Sequence, residues 1–380
     1  MEFFLDHKDT NTKARAGRVV TAHGTIPTPV FMPVGTQGTV KTLLQEDLES
    51  AGAEIILANT YHLALRPGVE TLTSIGGLHR FMSWERAILT DSGGYQVFSL
   101  SKLRKLDEDG VTFQSHIDGT RAHFTPESVI DIQRAIGSDI MMVLDVCPPA
   151  GCGRFYAEQS LRQTTEWARR SREHAEGSRP LYGYDQAVFG IVQGSVFDDL
   201  RVQGAESLVE LDFDGYAIGG VSVGESVEDM YRVTRLTAAA LPEHRPRYLM
   251  GVGTPQDLLE AVSSGVDMFD CVMPTRNARN GMVFTSTGSF SLKKAALLSD
   301  AAPIDENCGC PVCRRYSRAY VCHLFRAREI SGLRMATVHN IWYYLTLMRE
   351  ARLHIAEGSF AAWKEKTLEQ LRSGAAIQVA

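Results

Sequence analysis

The chain has 380 residues, is 44% hydrophobic and carries a formal net charge of -6 at pH 7. That composition excludes a disordered chain and allows either two ordinary domains or one large barrel with an insertion. No apolar run reaches the roughly 18 residues of a membrane helix. The opening stretch MEFFLDHKDTNTKARAG also lacks the apolar core of a signal peptide, so a cytoplasmic location with no membrane contact is expected.

In chain order, eight short apolar, β-branched runs are predicted as buried strands, at 28–34, 54–58, 87–90, 139–144, 187–192, 215–219, 247–250 and 266–269. Amphipathic stretches at 126–136, 157–176, 196–211, 226–240 and 255–264 separate several of them. Thr125-Pro126, Ser226 and Thr254-Pro255 supply helix-start signals. Alternating strand and helix means a parallel sheet with right-handed crossovers. Eight such units predict an α/β fold of the closed (β/α)8 TIM-barrel type, with an open doubly wound sheet as the alternative. Two stretches break the pattern. Residues 105–124 read as a β-hairpin insertion, with turns at Asp109-Gly110 and Asp118-Gly119. Residues 280–297 again look strand-like. The expected division is a catalytic barrel over 1–280, a zinc-binding subdomain over 281–345 and a C-terminal helical segment over 346–380.

The seven cysteines are odd in number and spread over a long chain, which argues against a disulfide framework. Three of them, Cys308, Cys310 and Cys313, fall within six positions, with His339 on a predicted helix downstream. Zinc takes four tetrahedral nitrogen or sulfur ligands, and three cysteines with one histidine make a closed structural set. His323 and Cys322 also lie near, so spacing alone leaves the fourth ligand open. The same region carries Arg314, Arg315, Arg318, Arg326, Arg328 and Arg334, with Glu329 the only acid between Cys308 and Arg334. It is a local basic face that the acidic total conceals, suited to phosphate as well as to solvent.

In (β/α)8 enzymes the chemistry sits past the C-terminal strand ends. Here those ends carry Asp91, Asp145, Gln193, Gly219-Gly220, Met250 and Asp270. One aspartate after a strand is often a helix cap. Three converging carboxylates would repel one another, so their presence points to function. Paired carboxylates suit a sugar anomeric carbon, one attacking while the other handles the leaving group's proton. Neither the sugar nor the leaving group follows from this pattern.

DSGGYQ (Asp91 to Gln96), VQGS around Gln193, GGVSVGE (Gly219 to Glu225), YLMGVGTP (Tyr248 to Pro255), FDCVMPTRNARNG (Phe269 to Gly281) and CGCPVC with His339 resemble the tRNA-guanine transglycosylases, bacterial-type. The resemblance runs in order from about Thr25 to His339. It implies replacement of guanine at the wobble position of G-U-N anticodon tRNAs by a 7-deazaguanine, either 7-aminomethyl-7-deazaguanine (preQ1) or queuine. It implies Asp270 as nucleophile and Asp91 as general acid and base. Base binding would fall to Ser92, Tyr95, Asp145, Gln193, Gly219, Gly220, Val221 and Met250, with Tyr95 and Met250 as the sandwich. Contacts to the tRNA anticodon loop would come from Gly251, Val252, Gly253, Thr254, Pro255, Gln256 and Asp257, and from Thr275, Arg276, Asn277, Ala278 and Arg279. Arginine is suited to phosphate and base edges. The family's zinc ligands would be Cys308, Cys310, Cys313 and His339, one structural Zn2+ per chain, and a homodimer is implied.

One loop departs from the bacterial pattern. Those members typically follow the pocket aspartate with Glu-Cys and then Pro-Tyr-Pro, whereas this chain reads Asp145-Val146-Cys147-Pro148-Pro149-Ala150-Gly151-Cys152-Gly153. Val223 keeps a bacterial look, and Val221 replaces the usual Leu. Loss of the glutamate is expected to widen the pocket and admit queuine. A barrel glycosidase on other sugars would leave the zinc cluster and TRNAR without purpose. A non-catalytic RNA-binding subunit would lack Asp91 and Asp270, and both are present. The archaeal branch carries an extra C-terminal RNA-binding domain for which this chain is too short.

Overall fold

The computed structural model describes residues 1–96 and 104–377. The chain opens with an antiparallel meander that the alternation of strand and helix did not reveal, β1 (Glu2–Lys8), β2 (Arg15–Thr21) and β3 (Gly24–Thr28). The first barrel strand is split at Pro33 into β4 (Val30–Met32) and β5 (Val34–Gly35). Next come β6 (Ile55–Asn59) and β7 (Ala87–Asp91). The insertion is β8 (Arg104–Leu106), β9 (Val111–Gln114) and β10 (Arg121–Phe124). It contains the expected hairpin, β9–β10, with β8 added on the far side of β9. The remaining barrel strands are β11 (Ile140–Met142), β12 (Ala187–Val192), β13 (Gly215–Ile218), β14 (Arg247–Leu249) and β15 (Met268–Asp270).

The barrel sheet has the order β4-β15-β14-β13-β12-β11-β7-β6-β5. Its two ends are the two halves of one strand. β4 pairs with β15 and β5 with β6, all in parallel register, so the ring closes through the split first strand. Strands β6, β11, β12 and β13 are buried along their whole length, as parallel strands covered by helices must be. Helices Pro126–Ile136, Asp198–Glu210, Val227–Ala240 and Pro255–Ser263 form part of the outer ring. Thr125, Ser226 and Thr254 cap three of them by accepting the N3 amide, as their sequence positions predict.

Past the eighth strand, a short helix (Met273–Arg279) leads to the hairpin β16 (Met282–Thr285) and β17 (Gly288–Ser291). The 27-residue helix Ile330–Ala356 then packs back on the barrel, and Phe360–Ile377 follows it. No helix among the described residues is long and apolar enough to cross a membrane.

The N-terminal strand ends are sealed by buried polar clusters. Asp267 has no exposed surface and accepts from the Arg247 amide at 2.7 Å and from Arg15 Nε at 2.9 Å, with Arg15 Nη2 on its other oxygen. Arg15 also donates to the carbonyls of Glu243 and Arg245. Asp139 accepts the Ile88 amide and sits 2.8 Å from His23 Nδ1. Burial alone would raise Asp139, but hydrogen bonds from His23 and His79 and from the Ile88 amide outweigh it and hold the carboxyl below its usual range. These acids are structural, and they tie the β1–β3 meander to the barrel floor.

Removing one partner of a buried pair leaves the other charge uncompensated. Asp267→Ala is therefore expected to lower the free energy of unfolding by about 3–5 kcal/mol, read by guanidinium denaturation. A loss under about 1 kcal/mol would show that Arg15 is not held there as a buried cation.

Candidate active site and metal centre

At the opposite end of the barrel, Asp91 closes β7 and Asp270 closes β15. Asp91 accepts the Thr60 and Gly93 amides, each at 3.1 Å, and the Asn59 side-chain amide. Gly93 has a φ of 76°, and a Cβ there would meet Tyr61 at 2.9 Å, so only glycine lets this amide turn back onto Asp91. Asp270 accepts the Tyr248 hydroxyl at 2.6 Å and the Gly251 amide at 2.8 Å. Burial pushes Asp91 up to about 7, and the negative charge of Asp270 adds to the rise. Burial also raises Asp270, opposed by its bonds from Tyr248 and Gly251. Near neutral pH such a pair favours one proton between them, an arrangement that supplies an acid and a nucleophile together.

Asp145 and Gln193 meet on the next strands round. Gln193 Nε2 donates to Asp145 at 2.7 Å, and Ser92 Oγ reaches the other oxygen at 3.5 Å. Burial pushes Asp145 up to about 6. Gln193 Oε1 is buried with no hydrogen-bond partner. Beside it, Gly220 has a φ of 63°, and a Cβ there would lie 2.2 Å from Gln193 Oε1. Gly219 is as crowded, with a Cβ position 2.9 Å from Gln193 Nε2. The result is a polar cradle of carboxyl, amide and bare backbone, shaped for a flat group with donors and acceptors along its edge.

The proposed sandwich residues differ in setting. Tyr95 is 55% exposed at the mouth, whereas Met250 is half-buried against the core. Val221 is buried at 4% exposure. Of the expected RNA-contact residues, Gly251 and Arg276 are exposed. Thr254, Gln256, Asp257, Asn277 and Arg279 are half-buried, while Val252, Gly253, Pro255, Thr275 and Ala278 are buried and shape their loops from within. Thr254 caps the helix that follows, and Asp257 accepts the Tyr231 hydroxyl. Arg276 and Arg279 lie close enough that Arg276, after burial, lowers Arg279. Neither has an ion-pair partner among the described residues, which suits an anionic ligand.

Val146, in the loop that departs from the bacterial pattern, is buried in an apolar cluster with Tyr61, Val111, Phe113, Leu144 and Trp167.

Cys308, Cys310, Cys313 and His339 bring their ligand atoms within 4.8 Å of one another and could hold a metal ion. His339 Nδ1 lies 3.3 Å from Cys313 Sγ and 3.7 Å from Cys310 Sγ. A tetrahedral N/S site with ordinary bond lengths has edges of about 3.5–3.8 Å. His339 Nε2 is 2.7 Å from the Phe284 carbonyl, which fixes the proton on that nitrogen and leaves Nδ1 free to ligate. Cys322 instead points its thiol at the Lys294 carbonyl. Part of the basic face is neutralised, since Arg318 pairs with Asp300 and Arg334 with Asp47.

Sequence reasoning missed Asn59, Thr60, Tyr248 and Glu225. The first two sit at the end of β6 and just past it, and applying the strand-end rule to β6 would have found them. Tyr248 lies inside an apolar strand and reads as core. Glu225 accepts the Val223 amide at 3.0 Å and the Ser222 amide, bracing the loop after β13.

A family model described as queuine tRNA-ribosyltransferase matches residues 9–373. A queuine tRNA-ribosyltransferase of Solidesulfovibrio magneticus is 56% identical over 352 residues, covering 92% of this chain and 93% of that protein. One from Thermoanaerobacter pseudethanolicus is 53% identical over 366 residues, 96% of each. One from Halothermothrix orenii is 49% identical over 377 residues, 99% of this chain and all of that protein. With the barrel, the acidic mouth and the Cys/His cluster in place, this chain belongs to the queuine tRNA-ribosyltransferase family of pentosyltransferases.

Proposed function

We propose that this chain exchanges guanine at the wobble position of G-U-N tRNAs for a 7-deazaguanine, preQ1 or queuine. The observation that carries the reading is the pair of carboxylates at the mouth, Asp91 and Asp270, both raised by desolvation, beside the Asp145–Gln193 cradle. Asp270 attacks ribose C1′ as the C1′–N9 bond breaks, and Asp91 delivers a proton to the departing guanine. The incoming base then displaces the Asp270 carboxylate from C1′ and yields its N9 proton to Asp91, restoring both groups. Asp145, Gln193, Ser92 and the Gly219–Val221 backbone hold the base edge, between Tyr95 and Met250. The segment at 251–257 and the helix segment at 275–279 take the anticodon loop, whose bases can be splayed out for reading.

Cys308, Cys310, Cys313 and His339 would hold one Zn2+, and a full set of four N/S ligands would give it a structural role. The division at about 280 and 345 belongs to the same reading, with its second boundary inside the continuous Ile330–Ala356 helix, as do a cytoplasmic location and a homodimer. The homodimer is supported by Leu44 and Ile330, 54% and 77% exposed, which flank the Asp47–Arg334 ion pair on one face.

Incubation with guanine-containing tRNA should give an RNA–protein adduct that survives denaturation, and Asp270→Ala should abolish it. An adduct that persists in that variant would remove Asp270 as the nucleophile. Supplying preQ1 and queuine separately to the trapped adduct identifies the incoming base, and release by neither would reject deazaguanine exchange.

Asp91 also makes stability depend on pH. It ionises near 7 when folded but near 3.9 when unfolded. Between those values the folded chain keeps a proton that the unfolded chain has lost, so this contribution to stability falls as pH rises from about 4 to about 7. Asp91→Asn mimics the protonated form. It should be more stable than wild type at pH 8 by about 1–3 kcal/mol, with the gap closing near pH 4. Equal melting curves at pH 8 would contradict the strained carboxylate.

Metal analysis should find one zinc per chain. Cys313→Ser should lose it and unfold at lower temperature, while Cys322→Ser keeps it. Full zinc retention in Cys313→Ser would reject the assigned ligand set.

A further inference from the structure

The Asp198–Glu210 helix buries an arginine to which the chemistry above gives no part. Arg201 has no exposed surface. Among the described residues it forms no ion pair with a carboxylate. Its guanidinium instead donates to four backbone carbonyls: Nε to Ser195 at 2.7 Å, Nη1 to Val192 at 3.1 Å and Gly219 at 2.7 Å, and Nη2 to Gly220 at 3.2 Å. Burial lowers its pKa to about 10, so it stays a cation at neutral pH. An unpaired buried charge is costly, and an apolar side chain could fill the same space without that cost. Its carbonyl partners all belong to two adjacent strand ends, the Gln193 loop after β12 and the glycine pair after β13.

The direction of those bonds matters. A trans peptide points its C=O and its N–H in opposite directions. With the Gly219 carbonyl on Arg201, the Gly220 N–H must face away from the guanidinium. With the Gly220 carbonyl there too, the Val221 N–H must do the same. The Gly219 N–H is taken by the Val192 carbonyl at 3.1 Å. The Gly220 and Val221 N–H groups have no acceptor among the described residues. Two free donors therefore lie beside Gln193 Oε1, which is itself without a partner.

We infer that Arg201 is a positioning residue for base recognition, fixing the Gly219–Gly220 peptides so that their following N–H groups meet the carbonyl edge of a purine. The inference rests on the reading of the mouth as a guanine site. Arg201 itself touches no substrate. It acts through four carbonyls, and a lysine at the same place has neither the planar fork nor enough N–H groups to hold them all.

The test uses Arg201→Gln and Arg201→Lys in the full chain. Three quantities are read: labelled-guanine incorporation into tRNA, tRNA binding, and amide hydrogen exchange across 215–225. In Arg201→Gln the KM for guanine should rise about 10-fold or more, with kcat falling less and tRNA affinity within about twofold. Arg201→Lys should fall between it and wild type. Exchange should quicken at 219–223, with the amides of the other barrel strands unchanged. An unchanged guanine KM beside an active wild type would refute the role of Arg201 alone. So would unfolding of both variants, or loss of protection around the whole barrel, either of which would make Arg201 part of the general core. A wild-type enzyme that incorporates no guanine would refute the base-exchange reading instead.

Discussion

Ring closure through the split first strand is the constraint on which the site depends. Because β4 pairs with β15, Asp270 lies opposite Met32. Because β5 pairs with β6 and β6 with β7, Asn59 lies opposite Asp91. The register of five strand segments thus decides which side chains face one another across the mouth. A slip of one residue in any of them would turn its side chains to the other face of the sheet. Asn59 and Asp91 would then part, and Asp270 would leave Tyr248. The parallel ladder is long-range in sequence but leaves little freedom once closed, which is why the catalytic candidates come from distant parts of the chain.

Closure also gives the two ends of each strand different electrostatic surroundings. On the floor, Asp139 and Asp267 accept hydrogen bonds from His23, Arg15 and backbone amides. Asp139 is held low by its partners despite burial. In the mouth, Asp91 and Asp145 are raised to about 7 and about 6 because burial outweighs their donors. The chain uses aspartate at both ends, and the local donor set decides whether it serves as a fixed anion or an exchangeable acid.

Much of this was legible in the sequence, and the physical reasons are particular. Strands such as Ala187–Val192 are buried along their length, so they read as unbroken apolar runs. Asp91, Asp145 and Asp270 interrupt apolar sequence just where such runs stop. The β1–β3 meander escaped because β1 is mostly exposed and mixed with charge. Tyr248 and Arg201 escaped for a different reason. Each sends a long side chain away from its own element to a distant partner, and nothing local marks that reach.

The metal cluster and the mouth are mechanically continuous. His339 sits midway along the Ile330–Ala356 helix, anchored to the Cys308–Cys313 turn and to the Phe284 carbonyl. Its neighbour Asn340 donates to the Pro274 carbonyl at 2.9 Å and to that of Met282 at 3.1 Å, and accepts the Phe284 amide at 3.1 Å. Pro274 lies in the first turn of the helix that carries Arg276 and Arg279. One turn further, Tyr344 donates its hydroxyl to the Gly253 carbonyl, in the loop that carries Gly251. Gly251 in turn donates to Asp270. A single helix thus runs from the cysteine turn to both loops flanking the β15 aspartate. Loosening the cysteine turn would free the register of that helix, and with it the amide that steadies Asp270. The Cys/His cluster is therefore linked to the loop that carries Gly251 through backbone carbonyls rather than through charge.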